Sequence, residues 1–301
     1  MSLANANHKY CQPQYHLVES KPHLARSECQ ILFLAFNHSV QRNSIGNPNS
    51  ILILGTTLTQ EMVYLVRHDG DTDKAGNELI TKRVPFLEAL TADENCLAEK
   101  LSKMEHPRTF KVHSNVEVME NAVLSQKTRV VYVMRNPKDT LVSLFYFYRI
   151  NKGLGNFPGT WNQFFDMAMA DFDNMLFGNM LDHFSGWWSL RHLPNVLITR
   201  FEDLVRNPEQ EIARIAEFCG KDGMSEETID KITQATRFDT MKKNPKTNYQ
   251  SSDAMDMSVG QFMRKGIIGD WKNHFTVAQN ETFDRLIQEK LTGTGLEFCY
   301  E

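Results

Sequence analysis

Short apolar runs and helical patterns of apolar and polar positions alternate along this chain. Residues 130–134, Val-Val-Tyr-Val-Met, form a β-branched, almost wholly apolar run of the kind seen in a parallel strand covered on both faces. The run stops at Arg135. Asn136 then supplies a capping oxygen, Pro137 suits the first helical position, and Asp139 favours the positive first turn, so 129–149 reads as strand, tight turn and helix. A second unit of the same kind pairs an apolar run at 51–54 with a helical pattern at 59–66. Residues 108–113 alternate as a strand, with Lys111 and His113 on one face and Phe110 and Val112 on the other. Further helices are predicted over 87–104, 211–219 and 278–291, an aromatic-rich amphipathic stretch over 161–188, and a strand over 196–201. Residues 69–77, 152–159 and 242–256 read as loops. Residues 1–50 are polar and irregular around one apolar run at 31–36. Strands alternating with helices predict an α/β fold, a mainly parallel central sheet with helices on both faces. The expected organisation is an irregular segment over 1–50 and a single domain over 51–301.

In such a sheet, ligands sit beyond the carboxyl ends of the strands, where helix N-termini offer free amides to anions. Arg135 stands at that place, and Ser143, two helical turns on, shares its side of the helix. Together they can grip one phosphate. The alternative is an ordinary βα unit in which Arg135 makes a surface ion pair and Ser143 only packs.

Composition narrows the field. A formal charge of −4 argues against a general nucleic-acid or membrane-surface binder. Five scattered cysteines, Cys11, Cys29, Cys96, Cys219 and Cys299, show no metal-ligand spacing, so free thiols and no metal are expected. No signal-peptide apolar region opens the sequence and no run approaches the roughly 20 residues needed to span a bilayer, so a cytoplasmic location is expected.

Several motifs then occur in one order: Arg135-Asn-Pro-Lys-Asp139, Ser143, 158–161 (Pro-Gly-Thr-Trp), 243–249 (Lys-Asn-Pro-Lys-Thr-Asn-Tyr) and 264–276 (Arg-Lys-Gly-Ile-Ile-Gly-Asp-Trp-Lys-Asn-His-Phe-Thr). Over roughly 55–300 the chain resembles the cytosolic sulfotransferases, whose architecture is P-loop-like. The resemblance implies an enzyme that moves a sulfuryl group from 3′-phosphoadenylyl sulfate (PAPS) to a hydroxyl or amine of a small acceptor, releasing adenosine 3′,5′-bisphosphate. It implies that Arg135, Ser143, Arg264, Lys265 and the Gly266 amide hold the 3′-phosphate, and charge-assisted donors of this kind suit that task. Gly55, Thr56 and Thr57 fall in the 5′-phosphosulfate turn, and Thr236, Phe238 and Met241 where the family contacts adenine. Lys111-Val-His113 resembles the element carrying the general base: imidazole titrates near neutrality, and Lys111 can stabilise negative charge. Trp187 and Trp188, with Phe145, Phe147, Phe164, Phe165 and Phe184, can contribute to an apolar acceptor pocket or simply form core. Lys272, Thr276, Val277 and Glu281 resemble the family's dimer motif, which implies a homodimer.

One departure is large. Ile53 occupies the position of the family's phosphosulfate-loop lysine, Leu54 that of its serine and Leu58 that of its adenine-stacking tryptophan. No basic residue between Asn43 and Gln60 replaces the lysine. Phe201 stands where the family often has tyrosine. Two accounts follow: a catalytically weak or silent member that still binds nucleotide, or a stretch before about Gly55 that is not the natural sequence. A P-loop NTPase shares the architecture, but its lysine-containing glycine loop is missing.

Overall fold

The computed structural model describes residues 30–34, 56–86, 109–124, 126, 128–176 and 178–301. In chain order these form β1 (Gln30–Leu34), α1 (Thr56–Arg67), α2 (Thr72–Asn77), α3 (Ile80–Arg83), β2 (Thr109–Val112), α4 (Val116–Leu124), β3 (Thr128–Met134), α5 (Pro137–Ile150), α6 (Trp161–Ala170), α7 (Met180–Ser189), β4 (Val196–Arg200), α8 (Phe201–Arg206), α9 (Pro208–Phe218), α10 (Glu226–Thr236), α11 (Phe238–Lys243) and α12 (Val277–Leu291). The strands make one parallel sheet in the order β2-β1-β3-β4. Alternate residues of β3 explain how it is covered: Val130, Tyr132 and Met134 enter the core under α5, α6, α7 and α12, while Val131 and Val133 enter the one under α1, α9 and α10. Helices therefore lie on both faces, as the alternation of elements predicts.

Two expectations change, and two others cannot be compared with the structure. The predicted strand at 51–54 and helix at 87–104 lie outside the described residues. The central strand comes from 30–34, within the run that the sequence pattern left unassigned, so the segment read as irregular contributes to the sheet. Within the predicted 69–77 loop, α2 forms because the Asp71 side chain accepts from the Lys74 amide at 2.8 Å and Ala75 is buried.

Because every strand points the same way, their carboxyl ends form one edge. Leu34 pairs with Val112 and Tyr132, and Met134 with Arg200, so His113, Arg135 and Phe201 follow each other along that edge. The turn after β3 is built as its residues dictate: Asn136 caps α5 by accepting from the Asp139 amide at 2.8 Å, and Pro137 takes the first turn. Glu202, buried at the start of α8, accepts from the Asn136 amide at 2.9 Å, and burial raises its carboxyl above the usual range.

Two carboxylates fix the 264–271 segment over this turn. Asp139 Oδ2 accepts from the Gly269 amide at 2.7 Å and Oδ1 from the Trp271 amide at 2.9 Å. Asp270 receives Lys265 Nζ at 2.7 Å and Arg264 Nη2 at 2.6 Å. Burial alone pushes the Asp270 carboxyl up, but hydrogen bonds from Lys265, Asn273 and Arg264, with the Arg264 charge, outweigh it and hold the group well below the ordinary carboxylate range.

Substituting Asp139→Asn is expected to destabilise the protein by about 2–4 kcal/mol, since one charge-assisted bond is lost and an amide donor faces another donor. Denaturant unfolding measures the loss, and faster hydrogen exchange at the Gly269 and Trp271 amides localises it. Asp270 gives a pH signature. Its folded pKa is depressed, so its contribution is complete above the unfolded value of about 4 and is lost as pH falls through that range towards the lower folded value. The stability difference between wild type and Asp270→Asn is therefore expected to shrink on acidification from pH 6 to pH 3; parallel curves would contradict the assignment.

Candidate functional site

Arg135 leaves β3 at the carboxyl edge and is almost wholly buried. Its Nη2 donates to the Ile267 carbonyl at 2.8 Å and lies 3.5 Å from Asp139 Oδ2, while its guanidinium carbon sits 4.3 Å above the Phe201 ring. Phe201 thus supports the guanidinium through its π face, although it lacks the hydroxyl of a tyrosine. Burial lowers the Arg135 pKa; the Asp139 and Glu202 charges oppose that shift, and the Arg264 charge adds to it. The two guanidinium groups therefore share one electrostatic field.

Arg264 reaches the same place from the other side. Its guanidinium carbon lies 4.3 Å over the Tyr146 ring, one turn beyond Ser143 on α5, and its Nη2 holds Asp270. Tyr146 is positioned by His274, whose Nε2 is 3.0 Å from the phenol oxygen and whose Nδ1 is 3.0 Å from the Asp270 carbonyl. Ser143 is half-buried between the Asp139 and Tyr146 positions of this helix face. Both arginines keep a buried nitrogen without a partner, Nε of Arg135 and Nη1 of Arg264. Buried cationic donors left in this state call for an anion.

Gly266 has φ +65°, and a Cβ there would come within 2.3 Å of the Phe238 ring. Only glycine permits this approach. The half-buried Phe238 ring is backed by Gly266, with Met241 buried one turn on. The Thr236 hydroxyl is already engaged, donating to the Ile232 carbonyl at 2.8 Å.

At the far end of the edge, His113 follows β2 and is buried, its ring packed edge-on to Phe86 at 5.0 Å. Lys111 is buried on the strand before it, with Nζ 5.7 Å from the centre of the same ring. One residue on, the Ser114 carbonyl lies 3.3 Å from His183 Nε2, and His183 Nδ1 is 2.7 Å from the Tyr132 hydroxyl. This chain ties the backbone beside His113 to the central strand. Phe86 and Lys111 also line a cavity of about 370 Å³, together with Gln60, Lys246, Tyr249 and Ser252.

Of the phosphosulfate turn, Gly55 lies outside the described residues and Thr56 opens α1. Thr57 is buried, with its hydroxyl beside that of Tyr249. The aromatic residues offered as a pocket take their other role. Phe145, Phe147, Phe164, Phe165, Phe184 and Trp187 are core, and Trp188 packs at its margin with Nε1 donating to the Thr294 carbonyl at 3.1 Å. None of them lines the 370 Å³ cavity. That cavity is formed instead by α3, β2 and the 245–254 loop, elements distant in sequence. Sequence reasoning also missed the anchoring roles of Asp139, Asp270, Glu202 and Tyr146. Their only advance signal is position, inside or facing the Asn-Pro-Lys-Asp and Arg-Lys-Gly motifs.

Among the described residues no helix is long and apolar enough to cross a membrane, and no group of three His, Cys, Asp or Glu is arranged to hold a metal ion. Cys219 and Cys299 are free thiols, and burial pushes Cys219 up to about 11.

Comparison with known proteins matches this geometry to a family. The family model described as the sulfotransferase domain matches residues 54–295. The chain is 38% identical over 263 residues to sulfotransferase 1C2 of Rattus norvegicus, covering 85% of this chain and 88% of that protein. With sulfotransferase 1A1 of Canis lupus familiaris the identity is 42% over 260 residues, covering 84% and 87%. A crystal structure of retinol dehydratase in complex with androsterone and inactive cofactor PAP shares the fold with a TM-score of 0.73 at 23% identity, over 89% of this chain and 82% of that one. Mouse sulfotransferase SULT7A1 complexed with PAP gives 0.64 at 24% identity, over 89% and 85%. On the family match and the identity to these relatives, the chain belongs to the sulfotransferase family.

Proposed function

We propose that this protein transfers a sulfuryl group from PAPS to a hydroxyl or amine of a small acceptor and releases adenosine 3′,5′-bisphosphate. The observation that carries the reading is the pair of buried, partnerless guanidinium nitrogens on Arg135, which lies over Phe201 and reaches Asp139, and Arg264, which lies over Tyr146. A 3′-phosphate between them satisfies both, with Ser143, Lys265 and the Gly266 amide as further donors. Thr236, Phe238 and Met241 border the adenine, and Gly55, Thr56 and Thr57 the 5′-phosphosulfate. Two solved structures that share this fold are complexed with PAP, which supports the reading.

His113 acts as general base and Lys111 stabilises the negative charge that develops beside it. In-line attack forms a bond from the acceptor oxygen to sulfur as the bond from sulfur to the 5′-phosphate oxygen breaks. The bonding pair leaves with adenosine 3′,5′-bisphosphate, and the acceptor proton passes to His113. The cavity beside Phe86 and Lys111 receives the acceptor. Residues 51–301 form the sulfotransferase domain, joined by β1, and the protein works in the cytoplasm. A second reading is favoured by Ile53: without a lysine there, turnover falls on the order of 100-fold or more and nucleotide binding persists.

The protein also forms a homodimer through Lys272, Thr276, Val277 and Glu281. Val277 opens α12 at 76% exposure, and Thr276 caps that helix by accepting from the Gln279 amide.

Transfer from labelled PAPS to a panel of phenols, alcohols and amines tests the activity. His113→Ala is expected to abolish transfer while the nucleotide-dependent rise in melting temperature stays within a degree or so of wild type. Arg264→Ala is expected to weaken adenosine 3′,5′-bisphosphate binding by about 10- to 100-fold, the loss of one charge-assisted contact; unchanged affinity contradicts both readings. Val277→Glu is expected to convert a dimer to a monomer in sedimentation analysis, and an unaltered mass removes the dimer assignment.

A further inference from the structure

Gln60 is provided for differently from its neighbours on α1. Its side chain is buried at 1% exposure, and neither Oε1 nor Nε2 has a hydrogen-bond partner. The next residue, Glu61, is equally buried but pairs with Arg83 at 2.8 Å. Native interiors rarely leave both ends of an amide unmet, because each group has given up its water for nothing.

The wall that holds Gln60 explains the exception. It lines the same cavity as Phe86, Lys111 and Tyr249, and the buried Tyr249 hydroxyl is turned towards that of Thr57. Phe86 in turn packs against His113. The amide therefore faces a space walled by Phe86, whose ring also packs against His113.

Resting on the acceptor-site reading above, we infer that Gln60 is a specificity residue that binds a second, neutral hydrogen-bonding group of the acceptor, a hydroxyl or an amide, away from the oxygen that receives sulfate. The chemistry of the carboxamide selects this class. It presents an acceptor oxygen beside two N–H donors, so a partner that both gives and takes a hydrogen bond satisfies it. A carboxylate meets only the N–H groups and an ammonium only the oxygen. A site with such a group unmet rejects the analogue that lacks the complementary atom far more strongly than an apolar wall discriminates by size.

The test uses para-substituted phenols bearing hydroxymethyl, 2-hydroxyethyl or carboxamide groups, each paired with an alkyl analogue of the same size. Calorimetry measures their binding to the full chain saturated with adenosine 3′,5′-bisphosphate, for wild type, Gln60→Met and Gln60→Leu. At least one polar member is expected to bind wild type about tenfold more tightly than its alkyl twin. In both variants that ratio is expected to fall to about one, with the alkyl affinities unchanged. The amide has no protein hydrogen bond to lose, so the variants are expected to melt no lower than wild type. A polar-to-alkyl ratio that survives substitution, or a wild type that discriminates no pair, overturns the inference and leaves cavity water as the partner of Gln60. Sulfate transfer is measured separately. Intact discrimination without transfer removes the catalytic reading and leaves this one standing.

Discussion

The carboxylate of Asp139 is the interaction on which the site depends. It sits in the first turn of α5 and binds two backbone amides more than a hundred residues away, those of Gly269 and Trp271. Amides fixed this way leave the 264–268 stretch with few conformations, and the bulkier elements then follow. Gly266 closes on Phe238, the Ile267 carbonyl accepts from Arg135, and Arg264 lies on Tyr146. A surface ion pair would not achieve this, since exposed pairs contribute little and are screened by salt. Buried and met by four donors or cations, Asp139 acts as a rivet.

Around that rivet the charges are balanced incompletely, and the imbalance is chemically useful. Asp270 offsets Arg264 and Lys265, while Asp139 offsets Arg135. Each arginine still retains a nitrogen that nothing in the protein satisfies. Pre-paired cations tolerate burial, and the unmet donors remain ready for a dianion without reorganisation. At the other end of the sheet edge the same economy is absent: His113 and Lys111 lie against Phe86, and Gln60 stays an uncommitted polar contact on the cavity that Phe86 and Lys111 line.

Much of this was legible from local pattern. The β-branched run of β3, the Asn136 cap and Pro137 are short-range signals, and the structure realises each of them. Arg264-Lys265-Gly266 was readable because a motif specifies it, although the partner of Gly266 was not: Phe238 meets it only after folding. The apolar run at 31–36 stands in a polar, irregular stretch with no turn or helix signal beside it, so periodicity alone left it unassigned. Pairing with both β2 and β3 falls to Gln30–Leu34. Asp139 read as a helix-dipole residue because its partners lie far along the chain. Gln60 carried no signal at all, since a glutamine on an amphipathic helix usually faces water and only the packing of α1 shows otherwise. For the aromatics of 145–188 the pattern allowed a pocket or core, and packing decides for core, with Trp188 at its margin.

The central claim is that Arg135 and Arg264 form one cradle for a phosphate that ATP does not carry. Titration calorimetry of adenosine 3′,5′-bisphosphate against adenosine 5′-monophosphate, in wild type, Arg135→Ala, Arg264→Ala and the double variant, measures it directly. The account expects the bisphosphate to bind wild type at least about 100-fold more tightly, with a double-mutant loss smaller than the sum of the single losses. Equal affinity for the two nucleotides, or strictly additive losses, would contradict a shared cradle.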